Sequence, residues 1–456
     1  MEPKKYTREA CIALLQEKQK RIRENGEERL PQRADFSNEE IIAVKAFLGP
    51  WPRALEAAGL KESRGEDRRE QNRLKRERAV RRQKAAKKAE KTLQELLDGI
   101  GEPDAEAAAQ AEARQQKLAK PLGSLGRLEE LSVRLAGIGG KVRGQYKNKM
   151  LLVFCADNGV VEEGISVSPQ EVTRIQACNL AAGKTGAGVL AREAGCGVRV
   201  YDVGINGTAA DGRVIDRKIR RGTANLLKGP AMPREEAVRA LMIGAHAVRE
   251  AAADGAQIIG IGELGIGNTT TSSAVLSALT GAPPEEVTGR GGGLTDQALI
   301  RKTEVIREAL ALNRPDREDP IDVLSKVGGY DIAAMAGAFI GCAAHRVPAV
   351  IDGFISVVAA LCAVRLCPRV RPFLIASHQS CEKGYRIAAG ELELSPLFDL
   401  RMRLGEGSGC PIAMKIIDSA CAVMDQMATF EEARIDDSYL DELRRENTAD
   451  RKGKAE

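Results

Sequence analysis

Short apolar runs alternate with longer amphipathic stretches from about residue 99 onwards. Each run is rich in Val, Ile, Leu or Ala and ends at a polar or glycine-rich junction, which is typical of a strand buried on both faces and followed by a helix. Five runs fit this description: 149–157, 197–204, 256–263, 347–353 and 371–377. Their alternation predicts an α/β fold, a doubly wound parallel sheet with helices on both faces and a smaller helical subdomain.

The residues at the ends of these runs indicate where a site would form. Ligands of such sheets gather beyond the carboxyl ends of the strands. The polar side chains expected there are Asp157, Asp202, Glu263, Asp352 and Ser377.

The first 62 residues have a different pattern and predict a small helical module, an N-terminal extension to the sheet. Apolar residues recur at helical spacing in Tyr6–Gln19 and in Asn38–Phe47, with Pro31 between them. A further short helix is expected to follow Trp51, the single tryptophan and the natural core anchor. The order of these elements resembles the homing-endonuclease-associated repeat, a small helical module associated with nucleic acid. A generic helical bundle remains an alternative.

A basic segment follows this module. Residues 64–91 contain thirteen Lys or Arg and five Asp or Glu, whereas the whole chain carries a formal charge of only +5. Leu74 and Val80 are its only large aliphatic residues, so residues 63–91 are interpreted as a charged linker or an exposed helix. A solvated spacer is the preferred interpretation, and weak contact with nucleic acid through residues 64–91 stays open.

Composition bounds the compartment and the type of site. The ten cysteines form no CxxC pair, which argues against a zinc site and a disulfide framework, and predicts a cytoplasmic protein. The N-terminus has no apolar signal core, and charged residues interrupt the most hydrophobic stretch, 332–367, so no membrane span is expected. We expect neither a metal nor a cofactor.

Two generic nucleotide motifs can be set aside. The sequence GIGELG at 260–265 matches GxGxxG, but a carboxylate inside that loop would repel a pyrophosphate. The sequence AGKTG at 182–186 contains the Gly-Lys-Thr of a phosphate loop, but position 178, where the leading glycine would stand, is Cys178.

Two carboxylates lie in glycine-rich loops and are candidates for acid–base chemistry. Glu406 stands between glycines in RMRLGEGSGCP (401–411), and Glu263 occupies a similar loop in IIGIGELGIGNTTTSS (258–273). Small neighbours let a ligand approach the backbone, and a partly desolvated carboxylate can act as a general base. Residues 265–270 add a cradle suited to a phosphate monoester at a helix N-terminus, although ordinary helix capping would use the same residues.

Seven longer motifs occur in order between about residues 92 and 435. They resemble the nicotinate-nucleotide:dimethylbenzimidazole phosphoribosyltransferase (CobT) family, which predicts a transferase domain over 92–440 and a polar tail over 441–456. The motifs are KPLGSLGRLEEL (120–131), CADNGVVEEGISVSPQEVT (155–173), GELGIGNTT (262–270), DVLSKVGGYDIAAMAG (322–337), DGF (352–354), SHQSCEKG (377–384) and RLGEGSG (403–409).

The resemblance implies transfer of the 5-phosphoribosyl group from nicotinate mononucleotide to 5,6-dimethylbenzimidazole by a homodimer. Glu406 would be the base, and Glu263 would assist it or face the ribose. Residues implied for the benzimidazole pocket are Ser168, Gln176 and Leu404. Residues implied for the phosphate and the surrounding loops are Gly265, Asn268, Thr269, Gly291, Gly292, Gly293, Lys302, Asp352, Ser377 and Gly407.

One departure from the family leaves alternatives open. Asn158 stands where the family pattern CADHG has histidine, and asparagine cannot titrate near neutrality. If this position touches the acceptor, another base such as adenine or a phenol could be the substrate. A non-catalytic nucleotide or ribazole sensor with a nucleic-acid-binding arm is the second alternative.

Overall fold

A computed structural model of the chain describes residues 6–61, Arg73 and residues 88–440. The chain divides into two compact units, 1–85 and 86–456. Most of the predicted basic segment (63–91) and the whole predicted tail (441–456) lie outside the described residues.

Residues 6–61 of the first unit form a small helical module with its own core. The helices described there are α1 (Arg8–Glu24), α2 (Asn38–Leu48) and α3 (Trp51–Ala57). A capping box between Ser37 and Glu40 starts α2. Trp51 packs edge-on against Phe36 at 5.3 Å between ring centroids. Its indole N–H donates to the carbonyl of Pro31, so the predicted anchor role of Trp51 is confirmed.

The second unit is built on one six-stranded parallel sheet, which confirms the predicted class. The strand order is β3-β2-β1-β4-β5-β6. Five strands correspond to the predicted runs: β1, β5 and β6 lie within theirs, and β2 and β4 each extend one residue beyond theirs. The sixth, β3, was not predicted. The strands are β1 (Lys149–Ala156), β2 (Cys196–Gly204), β3 (Val214–Asp216), β4 (Ile258–Leu264), β5 (Ala349–Ile351) and β6 (Leu374–Ala376).

Helices cover both faces of the sheet because alternate residues of every long strand are buried in opposite directions. Leu152 and Phe154 of β1 enter one large apolar cluster with α9, α14 and α15, whereas Leu151 and Val153 enter a second cluster with α7, α8 and α17. The described helices of this unit are α4 (residues 88–98), α5 (Ala105–Lys117), α6 (Arg127–Gly139), α7 (Glu171–Ala181), α8 (Gly186–Glu193), α9 (Arg234–Ala253), α10 (Asn268–Thr280), α11 (Pro284–Val287), α12 (Asp296–Asn313), α13 (Pro320–Val327), α14 (Tyr330–Ala344), α15 (Phe354–Leu366), α16 (Tyr385–Glu391) and α17 (Gly409–Gln426).

A smaller apolar cluster joins α12 to the loop that follows β1. Val305 and Ala309 of α12 pack there with Val160, Ile165 and Leu226.

The chain order reverses between β1 and β4, and at such a switch point two neighbouring connections leave the sheet in opposite directions and open a crevice. The sheet therefore presents a crevice beyond the carboxyl end of β4.

No helix among the described residues is long and apolar enough to cross a membrane. Within the same residues, no cluster of three His, Cys, Asp or Glu side chains could hold a metal ion.

Candidate active site

A cavity of about 200 Å³ lies where the loops after β1, β4, β5 and β6 meet the glycine-rich segment 403–407. The lining residues that the sequence also pointed to are Ser168, Glu263, Gly265, Asn268, Thr269, Gly291, Gly292, Asp352, Leu404 and Glu406. The carboxyl ends of neighbouring strands thus converge on one cavity, as the parallel topology requires.

Glu406 is held in an uncommon backbone conformation at the floor of this cavity. Gly405, Glu406 and Gly407 have φ angles of +82°, +60° and +79°, all in the left-handed region that a residue with a Cβ rarely adopts. The side chain is only 6 % exposed. Its Oε2 atom has no hydrogen-bond partner among the described residues. Glu406 therefore lines the cavity, and one of its carboxylate oxygens is buried and engaged by no described group.

Two other carboxylates fix the loop that carries Glu406. The Glu406 backbone N–H donates to Oε1 of Glu263 at 3.4 Å. Oδ2 of Asp352 accepts from the N–H of Gly407 at 3.1 Å, and Oδ1 accepts from the N–H of Gly409 at 2.7 Å. Backbone N–H groups of a left-handed turn point to one side. Here the oxygens of two acidic side chains accept hydrogen bonds from them and so stabilise the turn.

Burial shifts the pKa of the Asp352 carboxyl group. Desolvation raises its pKa to about 7, against the stabilising hydrogen bonds from the loop amides. His378 lies 3.8 Å away, measured from Nδ1 to Oδ1. Burial lowers the pKa of His378 to about 4, so at neutral pH the imidazole is uncharged and forms no ion pair with Asp352. Ser377 donates to the Asp352 carbonyl at 3.0 Å.

Glu263 is also strongly perturbed. Desolvation and the nearby charge of Asp331 raise its pKa to about 8. The Nδ2 group of Asn268 donates to Glu263 Oε2 and, at 3.1 Å, to Asp331 Oδ2. At neutral pH the protonated form of Glu263 therefore dominates.

The opposite side of the cavity has the features of an anion site. Helix α10 begins at Asn268, and its N-cap residue Gly267 (φ +92°) supplies no side chain to cap it. Lys302 of α12 donates to Oγ1 of Thr269 at 2.8 Å and to the carbonyl of Gly289 at 3.1 Å. An uncapped helix N-terminus beside a buried cation attracts negative charge.

The mouth of the cavity is apolar. The side chains of Val167 and Leu404 are 59 % and 57 % exposed there. Leu404 also packs against Gly186 at the start of α8, where a Cβ would stand 2.7 Å from its Cδ2 atom. A flat aromatic ring fits such a surface because its faces need no hydrogen bonds.

Five residues implied by the resemblance lie outside the lining. Lys302 stands behind Thr269, Gly407 and Ser377 contact Asp352, and Gly293 follows Gly291 and Gly292 in their loop. Gln176 lies on α7, where its Oε1 accepts from Asn179 at 2.7 Å.

Two strand-end carboxylates also lie elsewhere. Asp202 pairs with Lys218 at 2.8 Å, and Asp157 accepts the N–H of Asn206 at 2.7 Å. Asn158 is completely buried and is not among the residues that line the cavity.

Sequence reasoning did not single out several lining residues. They lie inside motifs quoted above, so the sequence indicated the segment that lines the cavity but not the individual residue. These residues include Phe354, His378, Ser380, Glu382 and Arg403.

Comparisons with known proteins agree on one family. A family model described as phosphoribosyltransferase matches residues 100–435. The chain is 50 % identical over 354 residues to nicotinate-nucleotide–dimethylbenzimidazole phosphoribosyltransferase of Clostridium perfringens, covering 78 % of this chain and 98 % of that protein. It is 48 % identical over 344 residues to the enzyme of the same name from Geobacter sulfurreducens, covering 75 % and 98 %. The crystal structure of CobT from Thermus thermophilus superposes with a TM-score of 0.71 at 42 % identity, over 73 % of this chain and all of that one.

Proposed function

The chain belongs to the CobT family of phosphoribosyltransferases, and we infer that it moves the 5-phosphoribosyl group of nicotinate mononucleotide to 5,6-dimethylbenzimidazole. The products are α-ribazole 5′-phosphate and nicotinate. The bond from the anomeric carbon to the pyridinium nitrogen breaks, and its electron pair returns to that nitrogen. The leaving nitrogen becomes neutral and needs no acid, so the only proton to be removed is the N–H of the attacking benzimidazole.

Glu406 is the residue we assign to that proton. The observation that carries the assignment is its buried Oε2, which has no partner among the described residues, on a loop held by Glu263 and Asp352. General-base assistance contributes about 10²–10⁴ in rate. Holding the two substrates together contributes about 7 kcal/mol or more.

The donor phosphate is placed at the N-terminus of α10, beside Thr269, Gly291 and Lys302. The acceptor ring is placed at the apolar mouth against Val167 and Leu404, with Ser168 at its edge. Position 158 lies beneath the lining, so its asparagine is not in contact with an acceptor placed at the mouth. The asparagine at position 158 therefore does not select another acceptor base, which supports dimethylbenzimidazole as the acceptor.

The test is product analysis with the Glu406→Gln variant. Wild-type protein supplied with nicotinate mononucleotide and a panel of bases should yield α-ribazole 5′-phosphate by mass spectrometry. Glu406→Gln should bind both substrates in calorimetry and lose about 10²-fold or more of turnover, because an amide cannot accept the proton. Wild-type turnover by this variant would refute the assignment. A wild type that binds nucleotide and turns over no base would favour the sensor alternative.

We place a second copy of the chain on the apolar surface next to the mouth. Ile175 of α7 and Val189 of α8 are exposed, and Leu404 at the mouth packs against Gly186 at the start of α8. Light scattering should give the mass of a dimer, and the double variant Ile175→Glu, Val189→Glu should give that of a monomer. A monomeric wild type at micromolar concentration would contradict this assembly.

Two further proposals concern the compartment of the protein and its contact with nucleic acid. All ten cysteines are free thiols, which supports a reducing cytosol as the compartment. Nucleic-acid contact through residues 64–91 remains a prediction. Its signature would be retention on DNA or RNA at about 50 mM salt that falls steeply as salt is added.

A further inference from the structure

Asp331 lies behind the cavity and not in it. It occupies the first turn of α14, is completely buried, and is absent from the lining residues. Its Oδ2 atom accepts a hydrogen bond from Nδ2 of Asn268 at 3.1 Å. A Cβ on Gly265 would stand 2.9 Å from the same oxygen, so the loop after β4 packs directly on this carboxylate.

The Asn268 amide joins Asp331 to the active-site loop. An amide nitrogen carries two hydrogens, and here one points to Asp331 and the other to Glu263. The amide cannot rotate without breaking both bonds, so Glu263 Oε2 is fixed. The other oxygen of Glu263, Oε1, then receives the backbone N–H of Glu406.

This chain of contacts contains no cation. In the part of the chain that the structure describes, neither Asp331 nor Glu263 forms an ion pair. The described titratable groups that face Asp331 are Glu263 from β4, Cys155 from β1 and Asp157 after β1, and the amides of Asn268 and Asn158 face it as well. Glu263 also faces Asp352. Neither amide atom of Asn158 has a described hydrogen-bond partner. Two buried acidic groups with nothing basic between them repel each other, so the charge of one disfavours the charge of the other.

We propose that Asp331 is a positioning residue for the phosphoribosyl transfer, holding the Asn268 amide so that Glu263 stays fixed against the Glu406 peptide. The inference rests on the proposed function of the site, and it adds a residue outside the cavity. Asp331 acts in two separable ways. Its oxygen orients Asn268, and its negative charge favours the protonated form of Glu263.

Two substitutions separate these effects. Asp331→Asn retains an oxygen that can accept from Asn268 and removes the charge. The limb of the kcat profile that reports Glu263 should therefore move to lower pH, by about one unit or more. Asp331→Ala removes the orienting oxygen as well. It should lower kcat by up to about 10²-fold, with a smaller change in KM for nicotinate mononucleotide, because a misplaced base slows the reaction more than it weakens binding.

Asp202→Asn is the matched control. Asp202 is a buried carboxylate at the same edge of the sheet, but its partner is Lys218 and it does not touch Asn268. This variant should leave the pH profile in place. The proposal would be overturned if Asp331→Asn lowered the melting temperature but left the pH profile of kcat unshifted, since Asp331 would then have a structural role only.

A direct titration distinguishes failure of this proposal from failure of the proposed function. Carboxyl carbons of protein labelled with [5-¹³C]glutamate can be followed by NMR, with Glu263→Gln used to assign the Glu263 signal. The signal should titrate at lower pH in Asp331→Asn than in the wild type, whatever reaction the site performs. An unchanged titration would refute the coupling between Asp331 and Glu263. An activity assay that yields no product would instead refute only the proposed phosphoribosyl transfer.

Discussion

Lys302 is an ammonium group inside the fold, only 1 % exposed, at the helix N-terminus where we place the donor phosphate. Desolvation lowers its pKa to about 8, and the nearby Glu382 opposes this effect. A lysine whose pKa is lowered is charged below that pKa and neutral above it. Free enzyme should therefore present a cation to the phosphate at neutral pH and lose it above about pH 8.

Lys302→Met should raise KM for nicotinate mononucleotide by about 10–100-fold, since a charged hydrogen bond contributes about 1.5–3 kcal/mol. In the wild type, loss of the Lys302 proton should lower kcat/KM as pH rises through about 8. It should affect kcat less, because the bound phosphate keeps the lysine protonated, so a limb of the kcat profile in that range reports Glu263. Arg301→Met is the control. Arg301 is the preceding residue on α12 and pairs with Glu163, so its loss changes net charge equally without touching the cradle. Equal KM values for the two variants would contradict the cradle.

At the scale of elements, the loop from Gly405 to Gly409 decides where the base stands. Gly407 combines a φ of +79° with a tight environment, since a Cβ there would lie 2.6 Å from Cδ1 of the buried Leu151. Gly164 has a similar φ, +70°, but a Cβ there would meet nothing within 4 Å. A comparison of substitutions at these two glycines therefore separates the cost of backbone strain from the cost of a steric clash.

Gly164→Ala should cost about 1–2 kcal/mol of unfolding free energy, the cost of a left-handed residue with a side chain. Gly407→Ala adds overpacking of the core, about 1–3 kcal/mol more, and should also lower kcat because Glu406 moves. Urea unfolding of both variants measures the difference. If the two lose the same stability, the loop has room that the structure does not indicate.

The sequence predicted the long strands because burial on both faces gives each an unbroken apolar run. It did not predict β3, because Val214–Asp216 has three residues, of which only Val214 is buried. For β6, the run at 371–377 was recognised, but a 3₁₀ helix occupies Pro368–Phe373 and leaves three residues for the strand. Short edge strands depend on pairing with a neighbour, which local patterns do not record.

The site was predictable where function needs glycine and carboxylate side by side, as at Glu263 and Glu406. Asp331 was not recognisable, although it lies in a motif that was quoted, because its role depends on Asn268, 63 residues earlier in the chain. Contacts between distant segments are set by the packing of α10 against α14 and not by spacing along the sequence.

At the scale of the whole molecule, the boundary between the two units can be tested by truncation. The first unit packs its own core around Leu15, Val44 and Leu55, and the matched family region begins at residue 100. Helix α4 belongs to the second unit, because Leu93 and Leu97 are buried in its main cluster.

Deletion of residues 1–85 should therefore leave a folded transferase with kcat and KM close to those of the full chain. Deletion of residues 1–91 is the informative comparison, because it also removes Glu90, which pairs with Arg234 at 3.1 Å, and Ala89, which packs on the main cluster. The pair is half-exposed and contributes at most about 1 kcal/mol, so this shorter protein should remain active with a slightly lower melting temperature. A folded but inactive 86–456 protein would mean that the N-terminal unit takes part in the reaction.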